Sequence, residues 1–169
     1  MSESSPLVRR ARPDDVPAIA SFAGELYRLH HRLDAARFWD LGGDTPDRVA
    51  GRARFFASQI EDPDTRLLVA EAEGRTIGYA YLTFERHDYA QLLESAAWLH
   101  DVWVEPESRG GAVADALFAA AHAEAWAAGQ TRMVFTVAAA NARAAAFFER
   151  HGARVTMREM MVDLSPPTS

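Results

Sequence analysis

Hydrophobic positions in the first third of the chain recur at helical spacing. A proline and two aspartates at residues 13–15 open a predicted helix, and its N-cap is Asp14 or Asp15. The apolar side chains that follow occupy one helical face: Ile19, Phe22, Ala23, Leu26 and Leu29. The polar residues 30–44 predict a loop, and a second helix is expected from residue 45 to about residue 60.

Short runs rich in Val, Ile, Leu and Tyr predict the strands. They cover residues 66–71, 76–84, 97–104 and 133–137, with an edge strand at 7–11 and a last strand at 153–164. A helix after Gly110 and Gly111 is expected to end at Gly129, and another covers residues 142–151. This order predicts a single domain over residues 1–164, an α/β fold of the α+β type, with a disordered tail at 165–169.

Composition excludes several functional classes. The chain has 169 residues and no cysteine, which excludes disulfides, thiolate metal sites and a cysteine nucleophile. Its formal net charge is -6 and all 18 basic residues are arginine, so nucleic acid is not an expected partner. No apolar run approaches the ~20 residues that span a bilayer, and the N-terminus does not resemble a signal peptide. We therefore expect a cytoplasmic protein without a membrane partner.

The segment from Trp98 to Leu117 joins a predicted strand to a helix through Arg109, Gly110 and Gly111. The first N–H groups of a helix have no partner within the helix, and the helix dipole leaves that end positive. Two residues without side chains let a phosphate approach the backbone closely. The segment therefore predicts an anion site, with a tight connection that binds nothing as the alternative. Its spacing is neither that of a Walker loop nor that of a dinucleotide fingerprint.

Two motifs follow one another in the second half of the chain. The first is V-x-P-x-x-R-G-x-x-x-A, from Val104 to Ala114, and the second is N-x-x-A-x-x-F-x-E-R-x-G, from Asn141 to Gly152. Together with the order of elements, which covers nearly the whole chain, they resemble the GNAT superfamily of acyl-CoA-dependent N-acyltransferases. The resemblance implies a mixed, mostly antiparallel sheet with helices on both faces, whose central parallel strands splay apart at the coenzyme site.

The same resemblance implies acetyl-CoA as a co-substrate, held by backbone N–H groups of the turn and by the strand before it. The implied coenzyme-binding positions are Val102, Val104, Arg109, Gly110, Gly111, Ala112, Val113, Ala114, Asn141 and Phe148. The family's turn usually has glycine where this chain has Ala112. That difference adds one methyl group and keeps the backbone N–H.

The implied reaction is direct attack of a primary amine on the acyl thioester. An alkyl amine, like lysine, is mostly protonated at neutral pH, so a base or a water relay is useful. His100 is the first candidate because its ordinary pKa leaves it largely neutral, and a hydrogen-bonded core histidine is the alternative. Strand alternation predicts that it shares a face with three residues, Trp98, Val102 and Val104. Asp101 then points to the opposite face, as a second relay or as a structural group.

The resemblance also implies that the backbone N–H of Val102 polarises the thioester carbonyl. Many members of the family have tyrosine as the general acid where this chain has Phe148, and Tyr89 is a candidate substitute. Phe148 therefore leaves two alternatives to an N-acetyltransferase. One is a non-catalytic acyl-CoA-binding or sensing domain, and the other is an interaction domain with a degenerate site.

The acceptor amine, in a small molecule or a peptide, is expected between the loop after the first helix and the loop before the motif strand. The candidate substrate residues are His30, His31, Glu85, Tyr89 and Trp98. The acidic residues of these loops favour a cationic amine such as a polyamine, an aminoglycoside or a lysine side chain. The adjacent histidines lack a third ligand at metal-site spacing, so no metal is expected. The resemblance makes a homodimer the default.

Overall fold

The computed structural model describes residues 6–89, 91–109 and 112–164. Within these ranges the elements are β1 (Leu7–Arg10), α1 (Val16–Leu33), α2 (Pro46–Glu61), β2 (Thr65–Ala72), β3 (Arg75–Glu85), β4 (Ala96–Val104), α3 (Val113–Ala127), β5 (Met133–Val134) and α4 (Ala142–Arg150). Short 3-10 turns cover Pro13–Asp15 and Pro106–Ser108. The tail at 165–169, expected to be disordered, lies outside the described residues.

The strands form one mixed sheet in the order β1-β2-β3-β4-β5. Neighbours from β1 to β4 are antiparallel. The last pair, β4 and β5, is parallel and pairs only at Ala97–Met133 and Trp98–Val134. Because β4 continues to Val104 without β5 beside it, the two strands separate after this short contact. The predicted mixed sheet with a splayed parallel pair is confirmed.

Helices cover both faces of the sheet, and each face has its own apolar core. The core under α3 includes Leu68, Ala80, Leu82, Ala97 and Leu117, and the aromatic rings of α4 pack at its edge. The core under α1 and α2 includes Ile19, Phe22, Phe56, Tyr79 and Trp103. Successive residues of the strands alternate between these cores, as the period of a strand requires.

A β-bulge in β4 interrupts that alternation. Tyr81 pairs with Asp101 and Leu82 pairs with Leu99, which leaves His100 as an extra residue between them. Leu99 and Val102 therefore belong to the same core, the one under α3. The prediction that His100 shares a face with Val102 and Val104, opposite Asp101, is wrong, because the inserted residue shifts the alternation by one.

Three predicted boundaries also differ from the structure. Helix α1 continues through His30 and His31 to Leu33, where a loop is expected from the sequence, and β5 ends at Val134 instead of residue 137. Residues 153–164, the predicted last strand, are irregular. Apolar residues of this segment are exposed, with Met160 at 88% and Val162 at 78%. An apolar pattern favours a strand only where another strand offers an edge, and β5 is too short to do so.

Gly78 lies where β3 and β4 approach closely. A Cβ at this position would lie 2.7 Å from the backbone oxygen of Trp103 and 3.2 Å from Cδ1 of Leu117. We expect Gly78→Ala to lower the free energy of unfolding by about 2 kcal/mol, measured by urea denaturation, since the strand backbone has no room to yield. Gly51→Ala in α2 is the control, because a Cβ there meets only Arg54 Nη2 at 4.0 Å. Equal stability of the two variants would contradict the prediction.

Candidate active site

A cleft opens where β4 and β5 separate. One wall is the C-terminal half of β4, and the other is the irregular segment after β5 together with α4. The cleft contains about 450 Å³ of empty space, part of it open to solvent. Its lining residues are Leu26, His30, Leu99, His100, Asp101, Val102, Phe135, Thr136, Val137, Ala138, Asn141, Ala144 and Phe148. The splay thus brings α1, β4 and α4, which are distant in sequence, to one site.

Asp101 supplies the carboxylate of the cleft wall, and Tyr79 holds it. The Tyr79 hydroxyl donates to Asp101 Oδ2 at 2.9 Å, and Tyr79 itself is fully buried. Burial raises the pKa of Asp101 to about 6, and the hydrogen bond from Tyr79 opposes that rise. Burial and the charge of Asp101 keep the pKa of Tyr79 well above its usual value, so the phenol stays a donor. Asp101 is therefore ionised at neutral pH and a stronger base than an exposed aspartate.

Tyr27 and Tyr81 lie near the same carboxylate. Burial, followed by the negative charge of Asp101, raises the pKa of each phenol to about 12. Both therefore remain neutral hydroxyl groups at physiological pH. The sequence patterns did not indicate these two tyrosines or Tyr79 as site residues. The two-residue spacing of Tyr79 and Tyr81 in a predicted strand indicates a shared face, but only the packing of the sheet shows that this face meets Asp101.

His100 occupies the bulge, and its side chain turns towards β3. Its Nε2 lies 2.9 Å from Thr83 Oγ1, and its ring stacks on Tyr81 with 4.9 Å between centroids. Desolvation lowers the pKa of His100, and the negative charge of Glu85 opposes that change. A neutral imidazole that is hydrogen-bonded to a hydroxyl group is equally compatible with a proton relay and with a purely structural role. The assignment of His100 as the base stays a prediction.

The bulge also determines the direction of the backbone N–H of Val102. Glu105 N–H donates to Ile77 O of β3, at 2.9 Å. Because successive N–H groups of a strand point to opposite sides, the N–H groups of Val104 and Val102 point away from β3. On that side of the strand, Ala97 N–H donates to Arg132 O, next to β5. Beyond Trp98 no described residue of β5 pairs with β4. The N–H of Val102 therefore faces the cleft, where an oxyanion donor would have to lie.

The turn after β4 contains Arg109 and leads to the N-terminus of α3. Arg109 Nε donates to Val104 O at 2.8 Å, and its guanidinium lies 4.3 Å from the centroid of the Trp103 ring. Burial, followed by the like charge of Arg143, lowers the pKa of Arg109. Arg109 and Arg143, from the turn and from α4, are therefore close enough to interact electrostatically.

The glycines of the predicted anion site, Gly110 and Gly111, lie outside the described residues, so the geometry of that turn stays a prediction. Ala112 is the N-cap of α3. Val113 is buried, and Ala114 packs against the core under α3. The side chains of Val113 and Ala114 therefore pack in the core, and Ala112 is exposed, so only backbone groups of these three residues are suited to a phosphate.

Helix α4 presents one face to the cleft, as its spacing predicts. Asn141, Ala144 and Phe148 all line it. The Asn141 side chain accepts a hydrogen bond from Ala144 N at 3.1 Å and so caps the N-terminus of the helix, as asparagine at such a position often does. The ring of Phe148 packs on Phe135 with 4.2 Å between centroids. Phe148 carries no hydroxyl group at the position where the resembling family often has tyrosine.

Comparison with known proteins decides the family. The profile described as "Acetyltransferase (GNAT) family" matches residues 26–153. The chain belongs to the GNAT acetyltransferase family. Phosphinothricin N-acetyltransferase from Alcaligenes faecalis is 34% identical over 108 residues, which are 63% of this chain and 48% of that protein. The matched region thus spans about half the length of this curated relative.

Solved structures share the GNAT fold over almost the whole chain. A mutant of BH1408 from Bacillus halodurans has a TM-score of 0.80 and 19% identity, covering 94% of this chain and 99% of that one. AAC(6')-Iy in complex with the bisubstrate analogue CoA-S-monomethyl-acetylneamine has a TM-score of 0.74 and 18% identity, covering 96% and 100%. At these identities the likeness shows the fold.

The predicted substrate residues of this GNAT protein are only partly brought together. His30 lines the cleft, whereas His31 bonds through Nδ1 to the backbone of the loop after α1. Glu85 accepts a hydrogen bond from Thr83 and lies near His100. Tyr89 is 84% exposed in the loop before β4. Trp98 ends the pairing of β4 with β5, and in the described part of the chain its buried Nε1 has no hydrogen-bond partner.

Two properties of the described residues concern membranes and metal ions. Over the described ranges, no helix is long and apolar enough to cross a membrane. Over the same ranges, no three His, Asp or Glu side chains are grouped so that they could hold a metal ion.

Proposed function

We propose that this GNAT protein transfers the acetyl group of acetyl-CoA to a primary amine, with Asp101 as the proton acceptor. The observation that carries the proposal is the Asp101 carboxylate, with its pKa raised to about 6, in the wall of the cleft between the splayed strands. His100 takes a secondary role, because its Nε2 is engaged with Thr83 on the β3 side.

The raised pKa suits Asp101 to this chemistry. The amine attacks as the neutral form, and its nitrogen becomes positively charged and acidic as the C–N bond forms. Asp101 accepts a proton from that nitrogen. Raising the pKa from the usual 3.8 to about 6 improves the free energy of this proton transfer by about 3 kcal/mol. At pH 7.5 the group is still almost entirely ionised, so the stronger base remains available.

Acetyl-CoA supplies the thioester that the amine attacks. The chain offers the N–H of Val102 to the carbonyl oxygen as negative charge develops there, and one such donor is typically worth about 3 kcal/mol. The pyrophosphate of acetyl-CoA is attracted by the positive charges of Arg109 and Arg143 and by the positive end of the α3 helix dipole. The apolar wall of Phe135 and Phe148 suits the pantetheine arm. The leaving thiolate, with a pKa near 8.5 if cysteine is the guide, needs little help from an acid, which makes Phe148 compatible with turnover.

The acceptor is a cationic amine in this proposal. The titratable side chains that line the cleft are His30, His100 and Asp101, so its charge at neutral pH is negative. A negative cleft attracts an ammonium group and repels an anionic one. Of the compounds in the relatives' names, neamine belongs to this class, whereas phosphinothricin carries two acidic groups beside its amino group.

Thermal unfolding with acetyl-CoA, followed by an amine panel, tests the proposal. Acetyl-CoA at 100 times its Kd adds about 2.7 kcal/mol, which we expect to raise Tm by roughly 5–10 °C. Release of free CoA is then measured with phosphinothricin, neamine, putrescine and lysine methyl ester, and turnover of at least one is expected. Stabilisation without turnover of any amine would favour a non-catalytic acyl-CoA-binding domain. An unchanged Tm would favour an interaction domain.

A further inference from the structure

We propose that Nε2 of His30 is a second hydrogen-bond acceptor for the attacking amine, and that His30 and Asp101 together orient its lone pair. This inference rests on the acetyl transfer proposed above and extends it to a residue of α1. Asp101 takes the proton, and His30 is a positioning residue.

The hydrogen bond made by the other ring nitrogen determines the tautomer of His30. Its Nδ1 lies 3.0 Å from the carbonyl oxygen of Leu26, one turn earlier in α1. A carbonyl oxygen only accepts hydrogen bonds, so Nδ1 must carry the proton. In a neutral imidazole, Nε2 then carries the lone pair.

The ring of His30 is held in place at the cleft. It packs against Phe38 with 5.0 Å between centroids, and His30 lines the same cleft as Asp101. Half-burial lowers the pKa of His30, although its bond to Leu26 opposes that change. The imidazole therefore stays neutral at physiological pH, and its Nε2 remains an acceptor.

A reacting amine needs two acceptors. A neutral primary amine has two N–H donors and one lone pair, and rotation about its C–N bond leaves the lone pair undirected. If one N–H bonds to Asp101 and the other to Nε2 of His30, the lone pair can only point in the third direction. Fixing a reactant in this way is a large part of enzymatic rate enhancement. Asp101 alone would leave the amine free to rotate.

Three variants separate this role from simple packing. His30→Phe keeps a ring against Phe38 and removes the acceptor, whereas His30→Gln retains a polar oxygen near the position of Nε2. His122→Phe, at an exposed histidine of α3, is the matched control. The probe is whichever amine of the panel the unmodified protein acetylates fastest.

We expect His30→Phe to lower kcat/KM for the amine about 10–100-fold, as loss of a charge-assisted or orienting hydrogen bond predicts, with the KM for acetyl-CoA unchanged. His30→Gln should recover most of that loss, and His122→Phe should match the unmodified protein. Equal amine kinetics of His30→Phe and the unmodified protein would overturn the inference while leaving acetyl transfer intact. Absence of turnover in the unmodified protein would instead contradict the proposed function.

A measurement without turnover tests the tautomer directly. In ¹⁵N-labelled protein, long-range ¹H–¹⁵N correlation spectra distinguish a protonated ring nitrogen from an unprotonated one. We expect His30 to show a protonated Nδ1 and an unprotonated Nε2 at pH 7.5, with His30→Gln identifying the signals by their loss. Protonation at Nε2 would overturn the inference whatever the kinetics.

Discussion

Replacing Asp101 by asparagine is expected to lower kcat/KM for the amine by about 10²–10⁴-fold, the usual contribution of a general base. Asparagine keeps the shape of the side chain and still accepts the hydrogen bond from Tyr79, but it takes no proton. The loss should therefore appear in turnover with little change in Tm or in the stabilisation by acetyl-CoA.

The pH dependence identifies the group that is lost. In the unmodified protein, the slope of log kcat/KM against pH should fall from about 2 to about 1 near pH 6, because below that pH both the amine and Asp101 must lose a proton. In Asp101→Asn the slope should be about 1 throughout. Tyr79→Phe removes the hydrogen bond that lowers the pKa of Asp101. In this variant the pH at which the slope changes should therefore be higher. If Asp101→Asn retains full activity, the base lies elsewhere, and His100→Ala becomes the variant to measure.

Replacing Asp15 by alanine is expected to lower the free energy of unfolding by about 3–5 kcal/mol, the largest change in stability that we predict. Asp15 is 6% exposed and accepts hydrogen bonds from Arg9 Nη1 at 2.7 Å, Arg12 N at 2.7 Å and Thr76 Oγ1 at 3.0 Å. It thus joins β1, β3 and the start of α1. Alanine would leave all three donors without this acceptor, and urea denaturation measures the cost.

The effect of Asp15 should depend on pH in a defined direction. Burial alone would raise the pKa of Asp15, but the hydrogen bonds from Arg9, Arg12 and Thr76 outweigh it and lower that pKa. A lowered pKa means that the stabilisation is complete above the unfolded-state value near 3.9 and is lost as pH falls below it. The difference between the unmodified protein and Asp15→Ala should therefore be full at pH 7 and shrink below pH 4. Asp14→Ala, at the exposed neighbour, should change stability by less than about 1 kcal/mol at either pH.

Local sequence signals predicted what depends on neighbours along the chain. The apolar face of α1, the strands β2 to β4 and the cap of α4 by Asn141 were all predictable, because spacing and capping are properties of a few consecutive residues. The motif around Arg109 and the helix at residues 142–151 were sufficient to indicate the family. Two segments were predicted wrongly for a common reason: residues 135–137 and 153–164 have strand-like composition, and neither finds a paired strand edge.

The active site was harder to predict than the fold. His100 was the first candidate base because histidine has a suitable pKa by default. In the folded chain an aspartate has acquired a comparable pKa, since the core removes water from Asp101 and the hydrogen bond from Tyr79 only partly offsets that effect. Such a shift depends on residues 22 positions apart, and no spacing rule within a single strand indicates it.

The amino-acid sequence by itself determined the order of elements, the apolar faces that bury them and the motifs of the coenzyme turn, because each is encoded in residues that are close along the chain. Only the tertiary structure decided which way the side chains of β4 point. One extra residue at His100 shifts the register against β3, and that shift places Asp101 beside Tyr79 and turns the N–H of Val102 towards the cleft. Register between strands is set by the fit of both cores at once, and it is therefore a property of the whole folded sheet.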